Sequence, residues 1–129
     1  MSEEYLIGGC FMNIWIVDDN KNLLDVMQES LHGDHTVLPF ASEQELIRYV
    51  GMSGGESPDV VLSDWNLSGT PATGLCSILM AAYPQCQVVI MSGDITSSHE
   101  WPPNAGKLEK PFKLFELKRY LEELGMTRV

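Results

Sequence analysis

Short apolar runs alternate with longer amphipathic stretches along most of the chain. The runs are rich in valine, isoleucine and leucine and are bounded by glycine, proline or polar residues, which is typical of buried strands. They cover residues 12–17, 36–38, 60–64, 87–91 and 107–109. The second run is expected to end before Pro39, because proline cannot donate a hydrogen bond to a neighbouring strand.

The stretches between the runs carry apolar residues at helical spacing. A first helix is predicted over about 22–32, where Gly33 ends it, and Ser42 with Glu45 forms a capping box that opens a second. A third is predicted over about 71–83, before Pro84. The residues expected to face the core are Leu23, Leu24, Met27, Leu31, Leu46, Tyr49, Val50, Leu75, Leu79 and Ala82, and in a final helix Leu114, Leu117, Leu121 and Leu124.

Strand and helix patterns alternate along the chain, which favours an α/β fold. We expect a five-stranded parallel sheet with helices on both faces. The stretch Trp101-Pro102-Pro103 rules out a long regular helix over residues 95–104. The fourth helix of this alternation is therefore expected to be shortened or irregular.

Length and composition are those of one globular domain. The chain has 129 residues, of which 44% are hydrophobic and 20% are charged. We predict a domain over residues 12–125, with an N-terminal extension over 1–11 and a C-terminal tail over 126–129. None of the apolar runs approaches the roughly 20 residues that cross a bilayer. Three cysteines cannot all pair, so we expect no disulfide framework and a reducing, cytoplasmic location.

The net charge of −10 argues against general nucleic-acid binding, which depends on a basic surface, and we expect neither nucleic acid nor a membrane as a partner. The charge is also uneven. Residues 1–106 carry fourteen acids and two basic residues, whereas six basic residues accompany four acids from Lys107 onward. The final element is therefore either a docking surface for another protein or a solvated helix face.

Polar side chains follow four of the predicted strands at the point where each strand ends. Asp18 and Asp19 follow the first strand, Asp64 ends the third, Ser92 follows the fourth and Lys110 follows the fifth. The carboxyl ends of parallel strands meet at one edge of the sheet, where ligands bind in open α/β folds. We therefore expect these five side chains to lie close together.

Each of these side chains has a use in phosphoryl chemistry. A carboxylate such as Asp64 can accept a phosphoryl group to form an aspartyl-phosphate. Three carboxylates at one edge repel one another, by roughly 1 kcal/mol for a pair about 4 Å apart in water, and Mg²⁺ would relieve this because it takes carboxylate and phosphate oxygens. Lys110 adds a mobile positive charge and Ser92 a hydroxyl donor. The plainer interpretation of the first acids is that Asp19 or Asn20 caps the next helix.

Four short motifs stand at these strand ends. They are Ile16-Val17-Asp18-Asp19-Asn20, Ser63-Asp64-Trp65-Asn66, Met91-Ser92-Gly93 and Lys110-Pro111-Phe112. In their order and spacing the chain resembles the receiver domains of two-component response regulators, over about residues 12–125. The resemblance implies a flavodoxin-like (CheY-like), doubly wound sheet of five parallel strands in the order 2-1-3-4-5.

The resemblance also implies a phosphorylation site that works with Mg²⁺. Asp64 would take a phosphoryl group from a phosphohistidine of a sensor histidine kinase or of a histidine phosphotransfer protein. Asp19 and Asp64 would bind Mg²⁺ directly, Asn66 would offer its backbone carbonyl, and Asp18 would act through metal-bound water.

The rest of the implied site recognises the phosphoryl group. Ser92 and Lys110 would contact it, and the bond between Lys110 and Pro111 would be cis. Such a domain is not an enzyme in the usual sense, since it catalyses only its own Mg²⁺-dependent phosphorylation and dephosphorylation. It would signal by contact with a downstream protein.

Three features depart from the family pattern. The family usually has Met-Pro at the third and fourth positions after the phosphorylated aspartate and then a glycine, where this chain has Leu67-Ser68 and, later, Gly74. The segment from Ser92 to Lys110 is shorter than usual. Lys107 stands where the family generally has an aromatic that moves inward on activation. We therefore expect an intact phosphorylation site, an altered output surface and no movement of a buried aromatic side chain.

Two other functions remain open. A receiver-like module that binds partners without phosphorylation is disfavoured by the intact acids and favoured by the missing aromatic. A haloacid-dehalogenase-like phosphatase also uses an aspartate nucleophile, a lysine and paired acids. It needs an acid two positions after the nucleophile, where Asn66 stands, and its paired acids come last in the chain, whereas Asp18 and Asp19 come first.

The remaining histidines, cysteines and tryptophans have plain interpretations. His32 and His35 flank Gly33 in a predicted loop that offers no further metal ligands, so we expect both at the surface. Cys76 and Cys86 are expected to be small core residues, and the methionines and tryptophans of the strands are expected to fill the core.

Overall fold

The apolar runs form strands and the amphipathic stretches form helices in the computed structural model of the chain, which describes residues 11–52, 56–67, 70–94, 100–102 and 104–127. The strands are β1 (Asn13–Val17), β2 (Thr36–Phe40), β3 (Val60–Asp64), β4 (Asn66–Leu67), β5 (Thr70–Pro71), β6 (Gln87–Ser92) and β7 (Gly106–Glu109). The helices are α1 (Lys21–Leu31), α2 (Glu43–Met52), α3 (Thr73–Ala82) and α4 (Leu114–Thr127).

Five parallel strands form the main sheet, in the order β2-β1-β3-β6-β7. Numbered among themselves, these strands have the order 2-1-3-4-5, so the predicted topology is confirmed. Strands β4 and β5 pair with each other as a short antiparallel hairpin directly after β3, an element that the sequence analysis did not predict. The strand that ends in Asp64 therefore lies at the centre of the sheet, and its carboxyl end opens into this hairpin.

Successive residues of each strand point to opposite faces and build two separate cores. On one face Ile14, Ile16 and Leu62 pack against buried residues of α1 and α4. On the other face Trp15 and Val61 pack with residues of α2 and α3. The Trp15 ring meets the rings of Phe40, Tyr49 and Tyr83 edge-on, at centroid distances of 5.7, 5.5 and 5.4 Å. Apolar burial on both faces holds the strand ends in register.

Strand β2 continues through Pro39 to Phe40, so the prediction that it ends before Pro39 is wrong. β2 is the outer strand of the sheet and pairs only with β1. The carbonyl of Phe40 accepts the Asp18 N–H at 3.1 Å, so residue 40 points its backbone groups toward β1. Its neighbour Pro39 points the other way, toward the open edge, where a missing N–H costs no ladder hydrogen bond.

Side chains cap the first two helices as predicted from the sequence. The Asn20 side chain accepts the Leu23 N–H at 3.2 Å at the start of α1, so Asn20 is the cap. At the start of α2 the Ser42 hydroxyl accepts the Glu45 N–H at 3.1 Å. The Glu45 carboxylate accepts the N–H of Ala41 at 3.3 Å, which completes the capping box one residue earlier than usual.

Two residues expected in the core lie at the surface. Leu114 is 38% exposed because it is the first residue of α4, and Ala82 is exposed in the last turn of α3. Helix α3 also begins at Thr73 rather than near 71, because Pro71 pairs with Asn66 in the β4–β5 hairpin. All three differences arise at helix ends, where the apolar pattern carries least information.

His35 is buried, which contradicts its predicted surface position, whereas His32 is exposed. It lies at the edge of the sheet opposite the strand-end acids, and its Nδ1 accepts the N–H of Met12 at 3.2 Å. Burial lowers the pKa of His35, and the charges of Asp34 and Glu122 oppose this by raising it. The neutral ring therefore belongs to the folded structure.

We expect this histidine to make stability depend on pH. Its folded pKa lies below the ordinary value of 6.5, so the unfolded chain binds the proton more readily between the two values. The free energy of unfolding should fall as the pH drops below about 6.5 and level off below the folded pKa. The amide oxygen of a glutamine at this position can still accept the Met12 N–H. In His35→Gln this decrease in the free energy of unfolding at low pH should therefore vanish. Urea unfolding at about pH 5 to 8 measures it, and an equal slope in the variant would assign the effect to other groups.

Some predictions concern residues outside the described part of the chain. Of the N-terminal extension over 1–11, only Phe11 is described, and residues 95–99 and 103 of the expected irregular segment lie outside it. Helix α4 continues to Thr127, past the predicted domain boundary at residue 125. Among the helices of the described residues, none is both long and apolar enough to span a bilayer. Cys76 is a buried thiol, as expected, and burial raises its pKa to about 11.

Candidate functional site

The acids that end β1 and β3 come together because these strands are neighbours. Val17 is paired with Ser63, so Asp18 and Asp64 follow at the same level of the sheet. Asp19 joins them from the start of the connection to α1. One carboxylate oxygen of each of the three acids lies within 4.8 Å of those of the other two. The structure thus assembles the acidic cluster predicted from the strand ends.

Lys110 enters this cluster from the end of β7. Its Nζ lies 2.7 Å from Oδ2 of Asp18 and 3.5 Å from Oδ1 of Asp64. The Lys110 N–H donates to the carbonyl of Ser92 at 2.8 Å, which fixes the backbone beside β6. The peptide bond between Lys110 and Pro111 is cis, as the resemblance implied. The ammonium group therefore bridges two of the three acids.

Asp18 is the most buried of the acids, and both of its oxygens have partners. Its side chain is 1% exposed. Oδ2 accepts from Lys110, and Oδ1 accepts the N–H of Asn20 at 2.9 Å. Asp18 is therefore engaged by the protein itself. Asp19 is more accessible, since it is exposed, and the Asp64 side chain is 14% exposed.

Asp64 lies in an environment that raises its pKa. Partial burial is the main cause, and the neighbouring charges of Asp18 and Asp19 act in the same direction. The Lys110 ammonium and a hydrogen bond from the backbone of Asn66 lower the pKa and partly offset these effects. A further positive charge near Asp64 would therefore stabilise the ionised form of its carboxylate.

Ser92 and Asn66 border the acidic cluster. Ser92 is buried, and its hydroxyl donates to the carbonyl of Asp94 at 3.0 Å and accepts the N–H of the same residue at 3.1 Å. The hydroxyl is thus engaged within its own loop and has to leave these bonds to contact another group. Asn66 has an exposed side chain and hydrogen-bonds to Asp64 through its backbone.

The cluster fits a magnesium ion by the chemistry of its donors. Mg²⁺ prefers oxygen ligands and is usually bound by one or two carboxylates, with phosphate oxygens and waters completing its shell. The exposed carboxylate of Asp19 and the partly exposed one of Asp64 meet this description. Asp18, with both oxygens engaged, is suited to an indirect contact.

Trp101 has a place in the fold that its sequence pattern did not predict, beside the residue that follows Asp64. Its ring centroid lies 5.8 Å from that of Trp65, which directly follows Asp64. Lys107 lies over the same ring, 5.8 Å from its centroid. A signal was available, because a tryptophan is costly to leave exposed and this one stands in a segment expected to lack regular structure.

Comparisons with known proteins identify the fold. No protein-family model matches the sequence, and no curated protein matches it significantly. Among solved structures, the BeF3-activated DrrB receiver domain matches with a TM-score of 0.75 and 20% identity, over 89% of this chain and 97% of that chain. The CheY-like response regulator receiver domain protein from Methanospirillum hungatei JF-1 gives 0.76 and 20%, over 92% and 98%. CheY4 of Vibrio cholerae gives 0.74 and 18%, over 89% and 99%.

These matches cover most of the chain, so it has the fold of response-regulator receiver domains. The predicted fold class and the resemblance seen in the motifs are thereby confirmed.

Proposed function

We propose that this chain is the phosphoacceptor receiver of a two-component phosphorelay, with Asp64 as the accepting residue. One observation carries the proposal: a partly exposed carboxylate at the end of the central strand has two further acids within 4.8 Å and an ammonium group at 3.5 Å. The fold shared with receiver domains supports it.

The transfer itself needs a nucleophile and a way to stabilise charge. An oxygen of the Asp64 carboxylate attacks the phosphorus of a phosphohistidine; the new P–O bond forms as the P–N bond breaks, and the imidazole nitrogen keeps the electron pair. Lys110 is placed to balance the negative charge of the phosphoryl oxygens, since its Nζ already lies next to Asp64. Ser92 donates its hydroxyl to the same group after leaving Asp94.

The acids would hold the metal ion. Asp19 and Asp64 would be its direct ligands, Asn66 would contribute its backbone carbonyl, and Asp18 would act in the outer shell. When bound, Mg²⁺ offsets the charge of the carboxylates and of the phosphoryl oxygens. Asp18 also holds Lys110 in place through their 2.7 Å contact, so it supports both the metal-binding acids and the lysine that contacts the phosphoryl group.

The partners follow from this chemistry. The donor is the phosphohistidine of a sensor histidine kinase or of a histidine phosphotransfer protein, and the output is contact with a downstream protein. Lys107 is exposed, so β7 does not carry the family's aromatic in a buried position. The downstream protein therefore reads the loops around Asp64 or the basic surface of α4, where Lys118 and Arg119 are exposed and Lys113 is exposed directly before the helix.

We expect Asp64 to be the only phosphorylated residue and the reaction to require Mg²⁺. Incubation with acetyl phosphate and Mg²⁺, followed by intact-mass measurement, should give one phosphate adduct. Asp64→Asn should give none, because an amide is not a nucleophile of this kind. Asp25→Asn, which removes an exposed acid of α1, is the matched control and should react like the wild type.

Two outcomes would contradict the proposal. A phosphate adduct that persists in Asp64→Asn would place the acceptor elsewhere. No adduct in the wild type, with acetyl phosphate or with a phosphorylated histidine kinase, would favour the module that binds partners without phosphorylation.

A further inference from the structure

Helix α3 has no charged residue, although one side of it lies at the surface of a strongly acidic chain. The chain has eight basic and eighteen acidic residues, yet none of them stands between Asp64 and Asp94. Each of the other three helices in the described part of the chain has both acidic and basic residues. A helix face that stays in water is normally polar or charged. The exposed residues of α3 are instead Thr73, Gly74, Ser77, Ile78, Ala81 and Ala82.

An exposed isoleucine of α2 extends this uncharged surface. The two helices connect parallel strands on the same side of the sheet, so they run in the same direction. A Cβ at Gly74 would lie 4.0 Å from Oε1 of Glu43, so α2 and α3 adjoin at these residues. One turn further along each helix come Ile47 and Ile78, which are 37% and 36% exposed. We refer to the exposed residues of α3 together with Ile47 as the neutral face.

Charges of both signs lie beside the neutral face, on α2. Arg48 directly follows Ile47 and is the only arginine or lysine between Lys21 and Lys107. It is exposed, and it makes no ion pair with any residue that the structure describes. Glu45, three residues earlier on the same helix, is also exposed. The border of the face therefore offers one base and one acid, so it is complementary in charge to a copy of itself.

We propose that the neutral face binds a second copy of this chain in a two-fold symmetric dimer. The two-fold axis crosses α2 and α3 near Ile47 and Ile78, so each helix packs antiparallel against the same helix of the other copy. Arg48 of one copy then faces Glu45 of the other, and symmetry makes this contact twice.

Charge is the reason why the copies meet at this face. Each copy carries a net charge of −10, so contacts between most parts of their surfaces bring like charges together, which is costly. At the neutral face an approaching copy meets no charge on α3 and an opposite charge on α2. The short side chains at Gly74, Ser77 and Ala81 leave room for a second helix to come close.

The size of the neutral face makes this a weak dimer. Each of its two helices has ten residues and is about 15 Å long and about 10 Å wide. Together they offer on the order of 300–400 Å² per copy, about half of what a standard interface buries on each partner. The chain should therefore be monomeric when dilute and dimeric when concentrated. None of the face belongs to the acidic cluster, so the dimer does not depend on the proposed phosphorylation of Asp64.

Sedimentation of the intact chain from about 10 µM to 1 mM tests the dimer, a range suited to a small interface. The wild type should change from monomer to dimer as the concentration rises. Ile78→Asp places two acids opposite each other at the axis and should weaken the dimer by at least about tenfold. Val26→Asp is the matched control, since it makes the same change of charge at an exposed residue of α1, and should dimerise like the wild type.

Two outcomes would overturn the proposal. One is a wild type that stays monomeric at every concentration, and the other is equal weakening by Ile78→Asp and Val26→Asp. Far-UV circular dichroism checks that the variants are folded. If Ile78→Asp is not, Ala81→Asp makes the same test at an exposed residue of the face.

A charge exchange tests the two-fold arrangement itself. Arg48→Glu and Glu45→Lys each place like charges opposite each other twice, so each variant alone should dimerise about fivefold more weakly than the wild type. An equimolar mixture of the two should form a heterodimer with about the wild-type affinity, because each contact then joins an acid and a base again. Glu45→Lys also loses the bond to the Ala41 N–H, so its fold is checked in the same way. A mixture that associates no better than the separate variants would overturn this arrangement.

Discussion

Replacing Lys110 with methionine is expected to lower the free energy of unfolding by about 2–3 kcal/mol at neutral pH. The Asp18 side chain is 1% exposed, and its Oδ2 lies 2.7 Å from Lys110 Nζ. Without the ammonium, Asp18 keeps the hydrogen bond from Asn20 but becomes a buried charge beside two other carboxylates. Methionine retains most of the apolar length of lysine, so little packing is lost. The lysine is 23% exposed, which places the effect below that of a fully buried pair.

Urea unfolding measures this loss, with two comparisons that isolate its cause. Lys113→Met removes an exposed lysine from the same stretch of chain and should change stability by no more than about 0.5 kcal/mol. The double variant Asp18→Asn with Lys110→Met should recover much of the loss, because the buried charge is then gone. If Lys110→Met were as stable as Lys113→Met, the pair would contribute nothing beyond the general charge of the chain.

Asp19→Asn should have opposite effects on the metal-free fold and on metal binding. The Asp19 carboxylate lies within 4.8 Å of two other carboxylates, and removing its charge should stabilise the metal-free protein by about 1 kcal/mol. The same change removes a proposed direct ligand, so the affinity for Mg²⁺ should fall by at least about tenfold. A gain in stability coupled to a loss of binding is the signature of an acid retained for function.

Thermal or urea unfolding without metal and Mg²⁺ titration followed by tryptophan fluorescence measure the two effects. Asp25→Asn makes the same change of charge on the exposed face of α1 and should alter neither. Asn20 already caps α1, so capping gives no reason for an acid at position 19. Equal Mg²⁺ affinity in the wild type and in Asp19→Asn would remove Asp19 from the metal site.

The acids that flank the site thus have different tasks. Asp18 is buried and bonded to Lys110 and Asn20, so its removal is expected to act on both stability and the site. Asp19 is exposed and adds repulsion, so its removal is expected to stabilise the metal-free protein and to weaken metal binding. Asp64 lies between these extremes, with a pKa raised by burial and partly restored by Lys110.

The pattern of the sequence by itself determined the parallel sheet, the edge at which the site forms and the residues that meet there, whereas the strand order was implied by the resemblance to receiver domains. Short apolar runs with helical patterns between them specify a parallel sheet, and parallel strands bring their carboxyl ends to one edge. Asp18, Asp64 and Lys110 are therefore neighbours although they are far apart in the chain. Predicting that these residues lie close together requires no knowledge of side-chain geometry. It requires only the rule that parallel strands end at the same edge of the sheet.

The tertiary structure decided the burial and the contacts of residues whose neighbours come from other parts of the chain. Pro39 continues a strand because that strand has an open edge, and His35 is buried with its ring accepting the Met12 N–H, a bond between residues 23 positions apart. Trp101 contacts Trp65 and Lys107 because it packs in the same core as Trp65, beside the face of β7 that carries Lys107. Periodicity describes one element at a time, whereas each of these outcomes is set by packing between elements that are distant in sequence.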